Sequence, residues 1–218
     1  MLDWIKQKMA PAAASDPASA APEILGFRLG GAVELNELKL RLLDDQLITD
    51  SIAKVQLIQA VGVVKLDESN TILRYYTDDD GFFQVVLSGG MDEQHVSDVK
   101  LLHFFETQSV GSDHDWNELL RSGISRSTYD FEGQLFARVW VAVGDCPPVA
   151  MTETTYTETE AASETDQFVM LYERPLNDEL YEFLLVSGEE QIVDNRAERC
   201  RVVSTGINLS STDFEVIG

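Results

Sequence analysis

The sequence predicts an α+β fold, predominantly antiparallel β-sheet with a few short helices. Three observations carry this expectation. Runs rich in Val, Ile, Phe and Tyr outnumber segments of helical period. Ile72–Tyr76 and Phe82–Leu87 flank Asp78-Asp79-Asp80-Gly81, the pattern of a hairpin with an Asp/Gly turn. No ten-to-fifteen-residue helix alternates with the strands, which disfavours a parallel βαβ arrangement.

Taken in chain order, Met1–Met9 has helical period, with Leu2, Ile5 and Met9 in one arc, Trp4 at its edge and Lys8 interrupting it. Ala10–Pro22 is an Ala/Pro/Ser tether with no large apolar side chain to bury. Residues 1–22 therefore read as a short helix and linker, and residues 23–218 as a β-rich body, in one domain or two fused sub-sheets. Asn36–Leu43 opens on a good helix cap and sets Leu38 and Leu42 on one side. Strands are predicted at Val55–Leu66, Val99–Thr107, Leu135–Val143, Thr152–Thr159, Phe168–Glu173, Leu180–Ser187 and Cys200–Ile207, besides the hairpin. Asp115–Glu118 has capping-box spacing before Leu119-Leu120, with Ser122-Gly123 as the stop, and Thr212–Phe214 reads as a terminal turn.

Alternation gives the faces. Leu135, Ala137, Val139 and Val141 oppose Phe136, Arg138 and Trp140; Phe168, Met170 and Tyr172 oppose Val169, Leu171 and Glu173. Apolar residues on both faces imply strands covered on both sides. Thr152–Glu164, by contrast, is polar and reads as an edge strand running into an exposed loop, which leaves a dimer open.

Composition narrows the function. In 218 residues, 38 acidic side chains stand against 16 basic ones, a net charge of −22. Such a surface repels phosphate backbones, so nucleic-acid binding is not expected. No apolar run approaches eighteen residues, so no transmembrane helix is expected, and Met1–Ala10 lacks the continuous apolar stretch of a secretory signal. Lys6 and Lys8 cancel Asp3 and Asp16, so the excess negative charge lies wholly in the body. A neutral, partly apolar tip on a tether ahead of an acidic globule suggests docking, on a partner's groove or on a membrane surface. Of the two cysteines, Cys146 precedes Pro147-Pro148 in a loop, and Cys200 lies between two arginines at a strand start and reads as a small half-buried side chain. A reduced, cytoplasmic protein is expected, peripheral to the inner membrane if the tip anchors there.

Catalytic signatures are missing. Counting from Asp78, the twelfth residue is Gly89, not the glutamate a calcium loop requires. His95, His103 and His114 have no close ligand pair, and His103 and Glu106 are expected on opposite faces of a strand, so no metal site is predicted. Gly-x-Ser-x-Gly, the P-loop and Gly-x-Gly-x-x-Gly do not occur. No catalytic residue and no cofactor is assigned. The candidate ligand- or partner-binding residues are Arg74, Arg138 and Arg174, in or beside apolar strands, with Asp166 and Glu173 in the run Thr165–Arg174. Arginines so placed are expected to brace strands through carboxylates, because burying an unpaired guanidinium is prohibitive. The functional alternative is a pocket in which they hold an anionic group bidentately. The candidate docking residues are Leu2, Trp4, Ile5 and Met9.

Arg74-Tyr75-Tyr76 with Asp78-Asp79, Gly81-Phe82 and Gln84-Val85; Asp98–Leu101; Thr165–Phe168; Leu171–Arg174; and Ser204–Ile207 together resemble the YjfK-like family of bacterial proteins, a domain of unknown function. The resemblance runs from about Ile24 to Gly218. It implies a bacterial, cytoplasmic protein with no established activity or cofactor. It also implies a gene setting near a membrane-stress protein of the phage-shock A type and an ATP-grasp ligase resembling glutathionylspermidine synthetase. Two function classes follow: a non-enzymatic adaptor in a membrane-stress assembly, or a binder or enzyme of a small cation such as a polyamine, drawn by the acidic body.

Overall fold

The computed structural model describes residues 21–217 apart from positions 44, 50, 160 and 194. The predicted tip, with Leu2, Trp4, Ile5 and Met9, and all but the last two residues of the tether lie outside the described residues.

The described residues form twelve antiparallel strands: β1 (Ala32–Leu35), β2 (Val55–Lys65), β3 (Asn70–Thr77), β4 (Gly81–Ser88), β5 (Val96–Ser109), β6 (Thr128–Phe131), β7 (Gln134–Arg138), β8 (Val149–Thr157), β9 (Ser163–Pro175), β10 (Tyr181–Val193), β11 (Arg196–Asn208) and β12 (Phe214–Val216). Following the pairings β2-β3-β4-β5-β11-β10-β9-β8 returns to β2, so eight strands close into a barrel. β2 and β9 each serve two neighbours. The first part of β2 pairs with β1, and β12 adds beyond it; after a bulge at Ile58/Ala60, β2 turns to β8. The first part of β9 pairs with β8 and its end with β7, beyond which lies β6.

Local sequence explains the connections. Asp80, at φ 50°, and Gly81 make the predicted β3–β4 turn. Glu132 and Gly133, both at positive φ, make a two-residue turn between β6 and β7, the geometry that matches strand twist. Helix α1 (Glu37–Leu43) is capped by Asn36, whose Oδ1 accepts the Leu38 N–H at 3.1 Å. Helix α2 (Asp113–Glu118) is capped by Ser112, which accepts the Asp115 N–H at 3.1 Å. The capping box therefore sits three residues earlier than predicted, and Leu119–Gly123 continues as a π-turn.

Three apolar layers result. Inside the barrel, Ala60, Tyr76, Phe82, Leu102, Val169 and Leu185 meet from opposite walls. Outside β2–β5, the segment 24–43 lays Ile24, Phe27, Val33, Leu35 and Leu43 on Val61, Leu73, Tyr75, Phe83 and Leu101. Outside β9–β11, Ile124, Phe131 and Phe136 cover Met170, Tyr172, Leu184, Val186 and Val203. Both faces of β9 are covered, as the two-sided apolar pattern of Phe168–Glu173 required.

Several expectations fail. Leu38 and Leu42 are each 68% exposed, and α1 buries Leu43 instead. β7 ends at Arg138, with Leu135 at 65% exposure and Val141 and Val143 fully exposed, so its second face is bare. The predicted terminal turn forms at residues 210–213, but Phe214 already belongs to β12. β1 and β6, too short to show a period, were not predicted. Most consequentially, the polar stretch is no edge: Glu153–Thr157 pairs with β2 on one side, and Val149–Thr155 with β9 on the other. A bulge at Val203/Ser204 puts Phe104 inside and Phe105 outside, and carries Glu106 to the outer side, where it meets Arg201.

Closure requires β11 and β5 to approach closely at Gly206, where an added Cβ would stand 2.0 Å from the Leu101 carbonyl oxygen and 2.8 Å from the Leu102 Cα. Both obstacles are backbone, so Gly206→Ala forces the strands apart. Its expected cost is about 3 kcal/mol, the upper end for overpacking, whereas Gly111→Ala, with nothing within 4 Å, serves as a near-neutral control. Urea denaturation midpoints of the two variants check this.

Candidate functional site

The three arginines go to separate places. Arg74, on the inward face of β3, is 3% exposed. Its Nε donates to Gln84 Oε1 at 3.0 Å across the hairpin, and its Nη1 donates to Glu153 Oε2 at 2.6 Å and Gln167 Oε1 at 2.7 Å. Glu153, on β8, is fully buried. Besides Arg74 it accepts Tyr76 Oη at 2.5 Å, Gln167 Nε2 at 2.9 Å and Thr155 Oγ1 at 3.3 Å. Gly62 of β2 makes the room, since a Cβ there would fall 2.1 Å from Glu153 Oε1. Burial opposes the charge on Arg74, but Glu153, with smaller help from Tyr76 and Glu189, outweighs it and holds the guanidinium above its ordinary pKa. This is the carboxylate bracing predicted for an arginine in an apolar strand.

Arg174 lies on the outside of β9. Its Nε donates to Glu182 Oε2 at 2.7 Å and its Nη2 to the Gln46 carbonyl at 2.6 Å. Glu182 also accepts the Ile48 N–H at 2.7 Å. Burial raises the Glu182 pKa, an effect that the Ile48 N–H and Arg174 only partly offset. Arg138 departs from expectation. Its Nε donates to the Trp140 carbonyl (3.1 Å) and its Nη2 to those of Ala142 (2.8 Å) and Gly144 (3.0 Å), while Nη1 is buried with no hydrogen-bond partner among the described residues, so it shapes a loop through backbone dipoles. The three guanidinium groups share no partner and no cleft. Glu173 is half-buried on β9 opposite Phe183.

A second polar cluster lies outside the barrel under the strap that joins α1 to β2. Thr49 bonds Thr205, and Asp79 Oδ2 accepts the Ala53 N–H and Gln56 Nε2, each at 2.8 Å, with His103 Nε2 at 3.4 Å. Burial pushes the Asp79 carboxyl up, but His103, Ala53 and Gln56 together hold it below the ordinary carboxylate range. Cys200 is fully buried within β11, deeper than the half-buried strand start expected, and its neighbours Arg199 and Arg201 are occupied by Glu190 with Asp113 and by Glu106.

The one predicted residue that borders open space is Asp166. It accepts Thr152 Oγ1 at 2.7 Å on the rim of a groove of about 580 Å³ that runs along the outer side of β8. Val63 and Lys65 of β2, Ala150, Met151, Thr154 and Tyr156 of β8, and Glu164, Gln167 and Phe168 of β9 complete it. The outer layers reach this sector only at its borders, through Val63 and Phe168. Sequence reasoning missed Glu153, Gln84, Gln167 and the groove. Gln84 was findable, since Arg74 and Gln84 are equidistant from Asp79 in a hairpin; the groove depends on barrel closure and left no local signal. No three His, Cys, Asp or Glu side chains gather to hold a metal ion, and no helix is long and apolar enough to cross a membrane, among the described residues.

Two predictions test this account. Arg74→Met leaves Glu153 buried and uncompensated and is expected to cost about 3–5 kcal/mol. Adding Glu153→Met removes the stranded charge and is expected to restore part of that loss in urea denaturation. For Asp79 the folded-state pKa is depressed, so its contribution is complete above the unfolded value of about 3.9 and is lost as pH falls through the folded one. The stability gap between the wild type and Asp79→Asn should therefore be constant near neutrality and shrink in acid, as thermal melts across pH 2–7 would show.

Comparison with known proteins agrees with the blocks of residues that first pointed to a family. Over 198 residues the chain is 28% identical to "Uncharacterized protein YjfK" of Escherichia coli (strain K12), covering 89% of this chain and 90% of that one. No solved structure matches. A family profile matches residues 3–215, and the chain belongs to that family, described as "Protein of unknown function (DUF2491)".

Proposed function

We propose that the protein is a non-enzymatic binding module that joins a membrane-stress assembly of the phage-shock A type, the setting implied by the family resemblance. One observation supports a binding role over a catalytic one. The barrel interior, where small barrels hold ligands, is filled by the chain's own side chains, with Arg74 neutralised by Glu153 and Tyr76, Gln84 and Gln167 completing the network. Recognition then falls to the outside, where the β8 groove presents Val63, Ala150, Tyr156 and Phe168 beside Glu164 and Asp166.

The experiment is co-purification from cells of tagged full-length protein with the phage-shock A type protein. Recovery should be strong with the wild type and fall at least tenfold with Tyr156→Arg. Equal recovery with both, or none with the wild type, overturns the adaptor role. Saturable spermidine binding that survives about 0.15 M salt, where screening weakens loose surface attraction, would favour the small-cation reading in its place.

A further inference from the structure

We infer that the β8 groove is the docking site of the chain's own N-terminal segment, residues 1–20. This rests on the groove being a recognition surface and names what occupies it before any partner arrives.

Where the described chain begins is the first argument. The Pro22 carbonyl accepts the Tyr75 hydroxyl at 3.1 Å. Tyr75, Val61 and Tyr156 form one row across three adjacent strands, because Val61 pairs with Tyr75 on β3 and with Tyr156 on β8. Two strand spacings are about 10 Å, so the chain start lies about that far from the groove. Ala21 and Val63 pack against the same apolar layer, and Val63 also lines the groove, so the two surfaces are continuous.

Length is the second. Residues 10–20 can extend to roughly 35–40 Å, several times what is needed. A short covalent link sets an effective concentration in the millimolar range, so even a contact of about 0.1 mM intrinsic affinity fills the groove about tenfold more often than not.

Chemistry is the third. The segment brings Leu2, Trp4, Ile5 and Met9 to a groove floored by Val63, Ala150, Tyr156 and Phe168. Lys6 and Lys8 are the cations of residues 1–22, and Glu164 and Asp166 stand on the groove's β9 side. A second hollow, of about 340 Å³ between α1 and the strap, is lined by Leu40, Leu47 and Ile52 but carries Arg41 and Lys54, which oppose Lys6 and Lys8. A groove near 580 Å³ falls within the ~300–1,000 Å³ span of pockets that bury small organic ligands.

The test uses the full chain carrying Thr154→Cys as a reporter in the groove, with Cys146→Ser to lower background. Its maleimide labelling rate is compared with that of the same chain bearing Trp4→Asp and Ile5→Asp, with circular dichroism confirming the fold of each. The expected result is labelling at least tenfold slower with the native tip, at a rate independent of protein concentration. Equal rates overturn the inference. Protection that grows with protein concentration also overturns it, in favour of the tip of a second copy. Because no partner is present, failure here leaves the co-purification result standing on its own.

Discussion

The barrel depends on one buried ion pair. Removing a carboxylate and a guanidinium from water costs several kcal/mol for each ion, and the cost is met only when geometry and hydrogen bonds are nearly complete. Here they are supplied by four strands. Arg74 comes from β3, Gln84 from β4, Glu153 from β8 and Gln167 from β9. β8 is the strand that closes the barrel, between β2 and β9. A one-residue slip of β8 would turn Glu153 to the outside and strand Arg74 in an apolar interior. The pair therefore sets register for the strand whose polar sequence specifies register least. Gly62, which leaves the volume Glu153 occupies, extends the same constraint to β2.

Closing eight strands removes their open edges but leaves apolar outer walls that must also be covered. Segment 24–43 covers β2–β5, and the α2-to-β7 region covers β9–β11. Polar bolts fix the strap between α1 and β2: Glu182 on the Ile48 N–H, Thr205 on Thr49 and Asp79 on the Ala53 N–H. These partners come from β10, β11 and the β3–β4 turn, so a single strap ties both halves of the barrel. The two covers stop short of β8, where the outward side chains are mostly threonine, alanine and tyrosine. A strand with that outer face can stay uncovered without a large hydrophobic penalty, and the groove lies there.

Much of this architecture was legible. The strong runs became strands, usually longer than predicted, because β-branched and aromatic residues at period 2 signal their own faces. The Asp/Gly turn and the Asn36 cap worked for reasons local to a few residues. What failed was non-local. Thr152–Glu164 looks like an edge because its inward residues are Glu153 and Thr155, polar in isolation and satisfied only by Arg74, Tyr76 and Gln167 from distant strands. Leu38 and Leu42 share a helical face, but neighbours decide which face is buried, and the tertiary contacts chose Leu43. Among the arginines, an apolar strand correctly signalled a buried, paired Arg74. Arg138 looked equivalent, yet it sits where β7 ends and serves loop carbonyls. Asp166 was singled out for its strand and reaches the groove rim only because of closure.

The charge distribution follows from the same bracing. With 16 basic residues against 38 acidic ones, each cation paired with a carboxylate removes one charge of each sign, so the net excess is unchanged while acids make up a larger share of the charges left unpaired. Arg74, Arg174, Arg199, Arg201, Lys39, Lys54 and Lys100 are all held by carboxylates within the fold. The surface is thus more one-sidedly negative than its composition states, and a surface of one sign repels copies of itself and anionic membranes alike. Specific association then needs a place where apolar contact outweighs that repulsion. The β8 groove provides apolar floor, an acidic β9 side and Lys65 at its β2 side. Such a polarity does not set affinity by itself, but it orients an incoming segment: cations toward β9, apolar side chains toward β8.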